Sequence, residues 1–368
     1  MNKAKNLFLS LLITLILSTL KLSANSDSTQ LQFVQLSGEM GKIWAHDTRL
    51  APIVSKPLKG LSFSFGERVS GYKNWHSAYK FPLVGGEISV YDFGNSSILG
   101  YSVGFNPFII FPIAGTSKYT LGLKVSPGLN YVSKVYNLTK NPTNIAISTH
   151  INAQILLGVE NTFRISNHID FIVGLNMIHV SNATFQKPNT GLNSTSVSAG
   201  LRFKKQSSKQ KYSSVSLSKT SSKRSLNLHV GSAIKEIRES GGRKYEVYYL
   251  STELLYPLTS YTNVGGSIDA FYDGSSHQIA SELGVNYNNR VELGKIGAAT
   301  CIELKLDRLS VIGHLGVYAY NRIREGNYLY QRIGLRYKLA QHLSANLGLK
   351  THLNVADHFE LGIVFRLN

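Results

Sequence analysis

Along much of the chain apolar and polar residues alternate with period two, the pattern of strands whose successive side chains point to opposite faces. Ile151, Ala153, Ile155, Leu157 and Val159 share one parity, while His150, Asn152, Gln154 and Glu160 share the other. The last segment repeats this, with Phe359, Leu361, Ile363, Phe365 and Leu367 alternating with His358, Glu360, Gly362, Val364 and Arg366. Similar segments between turn residues lie near 32–45, 59–69, 82–92, 97–113, 117–134, 147–164, 167–180 and 194–204. A second group lies near 224–236, 244–258, 260–273, 290–305, 308–320, 327–338, 340–351 and 357–367. These sixteen segments are an upper count, because the first two are weak. The expected fold is all-β, a single transmembrane antiparallel β-barrel of about 14 strands, within a range of about 12 to 16. The Ser/Lys-rich stretch from Lys204 to Arg224 separates the two groups and reads as a long basic loop of that one barrel rather than a domain boundary.

The start of the chain tells where such a barrel belongs. Lys3 and Lys5 precede an apolar stretch from Leu7 to Leu20, and small residues Ser23 and Ala24 follow, which together read as an export signal cleaved near Ala24. Residues 1–24 are then the signal peptide and 25–368 the barrel. Beyond this stretch no apolar run is long enough for a membrane-spanning helix. A closed barrel is the other way to satisfy every backbone polar group within a bilayer. Composition fits it: 43% hydrophobic residues, only 16% charged, and 20 Tyr with 16 Phe available for interfacial girdles. The single cysteine, Cys301, excludes an intramolecular disulfide framework. A net charge of +18 would suit nucleic acid in a cytoplasmic protein, but export removes that partner. Anionic lipid or lipopolysaccharide phosphate takes its place, with a merely solvated basic surface as the alternative.

Candidate chemistry concentrates in the hairpin from Asn176 to Phe203. His179 and Ser181 have the parity of Met177, Leu175, Val173 and Phe171, which is the apolar, outward face of the strand. Across a turn containing Lys187, Pro188, Asn189, Thr190 and Gly191, the next strand brings Asn193 to the same face. Polar groups facing lipid are costly, so the cluster asks for a reason. One reason is nucleophilic catalysis, in which His179 takes the proton of Ser181, Ser181 attacks an ester carbonyl and Asn193 orients the imidazole. The other is that the residues occupy the headgroup zone, where polar side chains are cheap. Elsewhere, His352, His150 and Glu160 have inward parity and read as lumen hydrogen-bonding groups, and no spacing resembles a metal site. Trp75 and His76 read as part of a loop, and Gly265-Gly266 lacks the following helix of a nucleotide site.

His179-Val180-Ser181-Asn182-Ala183 followed by Pro188-Asn189-Thr190-Gly191-Leu192 resembles the active-site hairpin of the lipid A 3-O-deacylase family of outer-membrane barrels. Trp75-His76, Asn141-Pro142-Thr143-Asn144-Ile145-Ala146 with His150, and Lys350-Thr351-His352 with Ala356-Asp357 are similar to segments of the longer Bacteroidetes-type acyloxyacyl hydrolases. The resemblance implies a bacterial outer-membrane enzyme that removes an ester-linked acyl chain from lipid A without a cofactor. It implies His179 as general base, Ser181 as nucleophile, and Asn182 and Asn189 in the oxyanion region. The chain departs from the best-known members at Asn193, which stands where they carry Glu. Asn can orient an imidazole but cannot offset its positive charge. The alternative is a catalytically silent, porin-like or structural barrel that binds lipopolysaccharide.

Overall fold

The computed structural model describes residues 32–368 except 55, 72, 206–222, 239–240, 324–327 and 354. The expected signal peptide and most of the 204–224 stretch lie outside the described residues. Eight strands form a first antiparallel barrel: β1 (Gln32–Ile43), β2 (Leu58–Arg68), β3 (Leu83–Asp92), β4 (Tyr101–Gly115), β5 (Tyr119–Val132), β6 (Ile151–Arg164), β7 (Ile169–Ser181) and β8 (Leu192–Lys205). Eight more form a second: β9 (Ser225–Glu236), β10 (Lys244–Pro257), β11 (Thr262–Asp273), β12 (Lys295–Leu306), β13 (Leu309–Asn321), β14 (Leu329–Lys338), β15 (Leu343–His352) and β16 (Val355–Arg366). The expected single barrel of about 14 strands is therefore replaced by two barrels of eight. The reason lies in closure. β1 pairs along its whole length with β8, from Gln32↔Lys205 to Ile43↔Ser194, and β9 pairs with β16, so each half exhausts its own edges. The stretch between the two groups of strands links barrels and is not a loop within one.

Both barrels are inverted relative to a water-soluble fold. Leu36, Leu61, Leu129 and Leu175 of the first barrel point outward and are exposed, as are Leu250, Ile268, Ile333 and Leu361 of the second. The polar residues of opposite parity are buried in the lumens. In the first, Lys124 pairs with Glu87 at 2.6 Å and Arg202 with Glu160 at 2.7 Å, and Lys204 pairs with Asp170. In the second, Arg336 meets Glu253 at 2.8 Å and Arg332 meets Glu360 at 2.9 Å. Eight strands leave an interior that side chains can fill, and these ion pairs with Gln35, Asn106, Gln154 and Asn346 fill it. Deleting one partner of such a pair strands a buried charge, at a cost of about 3–5 kcal/mol.

The two barrels touch at both rims. At one rim most connections are long, residues 44–57, 93–100, 133–150 and 182–191 in the first barrel and 274–294 in the second, whereas the connections at the opposite rim are short apart from 69–82. There an apolar cluster including Ile43, Leu50, Tyr91, Leu99, Val132, Ile147, Ile178, Val180 and Leu192 roofs the first lumen. At the opposite rim Lys73 reaches Asp307 of the second barrel at 2.6 Å, and Tyr79 faces Tyr261 with ring centroids 6.1 Å apart.

Two outcomes follow from closure and inversion. In a Cys301→Ser background, Leu36→Cys with Leu201→Cys should form a disulfide on mild oxidation, because the two are register partners across β1 and β8. Leu36→Cys with Ile363→Cys of β16 should stay reduced; the reverse, read by non-reducing electrophoresis, would mean one large barrel. Leu36→Arg or Leu361→Arg should lower unfolding stability in bilayers by about 2–4 kcal/mol, the cost of a cation on a lipid face near the midplane. A change within about 0.5 kcal/mol, as on a water-exposed surface, would contradict the membrane orientation.

Candidate active site

The candidate residues gather at the long-loop rim of the first barrel, where β7 ends and β8 begins. His179 and Asn193 are register partners on neighbouring strands, on the same outward face as the exposed Met177 and Leu175. His179 Nδ1 donates to Asn193 Oδ1 at 2.6 Å. With its Nδ1 proton committed there, the lone pair of the imidazole lies on Nε2. Ser181 is buried, although its strand parity is outward, because the turn 182–191 folds over it.

That turn is shaped around the serine hydroxyl. Ala183 adopts φ +55°, in the left-handed region, and its N–H donates to Ser181 Oγ at 2.9 Å. Asn189 Nδ2 donates to the same oxygen at 2.8 Å and also to the carbonyl of Ala183. Gly191 has φ +75°, and a β-carbon there would lie 3.2 Å from His179 Cε1 and 3.5 Å from Ser181 Cβ. A side chain at this position would crowd the imidazole, so glycine keeps the space between imidazole and hydroxyl open. No hydrogen bond joins Ser181 Oγ to His179. The hydroxyl is instead engaged by the two donors of the turn.

The structure separates the two asparagines that resemblance places together. Asn189 touches Ser181, whereas the Asn182 side chain turns away and donates to Ser148 Oγ at 3.1 Å and Thr149 Oγ1 at 3.0 Å. Asn182 still enters the turn through its N–H, which approaches Asn189 Oδ1 at 3.4 Å. The Asn141–Ala146 segment proves to be the brace beneath this turn. Asn141 and Asn144 tie its backbone to Ile98, and the carbonyls of Ile145 and Ala146 accept from the N–H groups of Thr190 and Gly191 at 3.2 and 3.0 Å. Ser148 Oγ donates to the carbonyl of Gln186 at 2.7 Å.

Sequence reasoning passed over Ala183, whose contribution is a backbone N–H, and the Trp44–His46 segment. The N–H of Trp44 donates to the carbonyl of Asn193 at 2.7 Å. His46 Nε2 donates to the carbonyl of Thr190 at 3.0 Å, with Nδ1 3.5 Å from Asn193 Nδ2. No local pattern marks these residues, because the neighbourhood is created by the pairing of β1 with β8. His150 departs from its expected inward placement: it precedes β6, is exposed, and stacks on Tyr131 with centroids 5.5 Å apart, because strand parity ends where the strand does. Glu160 does face the lumen. Trp75 and His76 form part of a short helix, Asn74–Ala78, at the opposite rim. His352 belongs to the second barrel and hydrogen-bonds the Tyr318 hydroxyl at 2.9 Å.

Comparison with known proteins gives a family to each barrel. Residues 59–202 match the model of lipid A 3-O-deacylase (PagL), and residues 224–368 match that of the acyloxyacyl hydrolase C-terminal domain. No curated protein matches the chain. Among solved structures, the crystal structure of the outer-membrane enzyme PagL is 17% identical and overlaps 45% of this chain and 97% of its own, with a TM-score of 0.35. Neisserial surface protein A is also 17% identical, overlapping 47% of this chain and 96% of its own at a TM-score of 0.32. With the two family models falling on the two barrels, the chain belongs to the lipid A 3-O-deacylase and acyloxyacyl hydrolase family of outer-membrane β-barrels.

Proposed function

We propose that the first barrel hydrolyses an ester-linked acyl chain of lipid A, with Ser181 as nucleophile and His179 as general base. The observation that carries this is the convergence of two donors, Asn189 Nδ2 and the N–H of Ala183, on the Ser181 hydroxyl beside an imidazole oriented by Asn193. Outer-membrane barrels place short turns in the periplasm and long loops outside. The long-loop rim therefore lies at the outer leaflet, where lipopolysaccharide resides, and an acyl ester there reaches the outward face of β7 without leaving the bilayer.

In the first step Ser181 Oγ rotates about its Cα–Cβ bond toward His179 and attacks the ester carbonyl carbon, while His179 Nε2 takes its proton. The donors released from Oγ then face the tetrahedral oxyanion, a role worth about 10²–10³ in kcat for one donor. Collapse expels the sugar hydroxyl, which recovers the proton from His179. Water, deprotonated by the same imidazole, then releases the fatty acid from Ser181. Asn193 holds the ring in the required tautomer. Asn182 supports the turn through Ser148 and Thr149 and contributes to the oxyanion region indirectly. None of these steps calls for a metal or cofactor. A porin-like channel needs an open lumen, whereas both lumens here are filled by ion pairs.

Ser181→Ala should lower fatty-acid release from purified lipid A by at least about 10³-fold while leaving heat-modifiable barrel mobility intact. Asn189→Ala should lower kcat by about 10²–10³-fold through loss of an oxyanion donor. Mass spectrometry of the lipid A product reads both. Release by Ser181→Ala at the rate of the unsubstituted protein would refute the assignment.

A further inference from the structure

The turn that aims Asn189 and Ala183 at Ser181 is gripped from outside by the second barrel. Glu236, the last residue of β9, donates its N–H to the carbonyl of Thr184 at 2.7 Å, and its carboxylate accepts the N–H of Lys187 at 2.6 Å. The Thr184 hydroxyl donates to the carbonyl of Asp357 in β16. Lys187 Nζ donates to the carbonyl of Ile237 at 3.3 Å, and Lys244 Nζ stands 3.4 Å from the centroid of the Phe185 ring. Thr184 to Lys187 lie between Ala183 and Asn189, so the five contacts fall on the segment that joins the two oxyanion donors. Glu236 is 2% exposed, so its bonds to this segment are shielded from competing water.

The first barrel braces the same turn from the inner side, through Ile145, Ala146 and Ser148. Without the outer grip, the arc from Thr184 to Lys187 would hold to its own barrel mainly through Ser148 and Asn182. Displacement of a catalytic donor by about 1 Å costs on the order of 10²-fold in rate. On the deacylase reading above, we propose that the second barrel is a positioning element for the chemistry of the first. Glu236 is its principal positioning residue, and Thr184 with Asp357 forms a second tie. The second barrel then serves catalysis without touching the reacting atoms, and the segment containing Lys350, His352 and Asp357 is held in place for this contact. Lys350 Nζ reaches the Asp357 carboxylate at 2.8 Å, fixing the start of β16 whose carbonyl receives Thr184.

The test uses the full chain in lipopolysaccharide-containing bilayers, with kcat and KM measured for Glu236→Ala, Glu236→Gln, Thr184→Val and Ser181→Ala. Glu236→Ala should lower kcat by about tenfold to a hundredfold with KM within about twofold, because positioning acts on the transition state. Glu236→Gln keeps an acceptor for the Lys187 N–H and should restore kcat to within about threefold of the unsubstituted protein. Thr184→Val, which leaves the carboxylate in place, should lower kcat in the same direction and decides the matter if Glu236→Ala fails to fold. Folded Glu236→Ala and Thr184→Val proteins with unchanged kcat would overturn the positioning role while Ser181→Ala remained inactive. An active Ser181→Ala protein would overturn the nucleophile assignment itself, and the positioning role with it.

Discussion

Within a bilayer no water is available to a backbone N–H or C=O, so a sheet that crosses it must close upon itself. That constraint governs everything else in this chain. It forces the apolar side chains outward and the polar ones inward, the inversion seen at Leu36 against Glu39 or Leu361 against Glu360. It also forces the buried charges to pair, since an isolated ion in a narrow lumen is far costlier than a hydrogen-bonded one. Closure after eight strands rather than sixteen then determines where catalytic groups can sit. A filled eight-stranded barrel has no room for a substrate inside, which is why the proposed chemistry is assigned to its wall and rim.

At that rim the sheet supplies direction and the loops supply precision. Pairing of β7 with β8 places His179 opposite Asn193 without any help from the turn. Ser181 is different, because its two hydrogen-bond donors come from residues within the turn itself. Such a turn is only as accurate as its supports. Here they come from three directions: the Asn141–Ser148 segment below, the Trp44–His46 segment beside Asn193, and the second barrel outside. The fold thus holds an irregular peptide between two neighbouring loops and the second barrel, which is how a φ of +55° at Ala183 is kept.

Much of this was legible in the residues. Period-two alternation marked the strands well, because a strand with one wet face and one lipid face must alternate. The parity that His179 and Ser181 share with Met177 and Leu175 is legible for the same reason, but the burial of Ser181 under the turn 182–191 is not. The number of barrels was not, since alternation says which face a side chain occupies and nothing about which strand lies next to it. Closure is a pairing between residues far apart, such as Gln32 with Lys205, and no local pattern carries it. The basic stretch from Lys204 to Arg224 joins the barrels, but as sequence it is indistinguishable from a long loop. The same limit hid Trp44, His46 and Glu236, whose places near the site depend on tertiary contact, while Ala183 acts through a backbone N–H that no residue type announces. Asn182 and Asn189 looked equivalent as residues of one motif, and only the path of the turn separates the one that touches Ser181 from the one that braces it.

In the proposed mechanism Ser181, on the wall of the first barrel, is a nucleophile activated by His179. Treating the folded protein in bilayers with an alkyl fluorophosphonate and locating the adduct by peptide mass spectrometry tests it most directly. One modified serine, Ser181, is expected, with labelling greatly slowed in His179→Ala. Adduct on another residue, or equal labelling of Ser181 in His179→Ala, would contradict it.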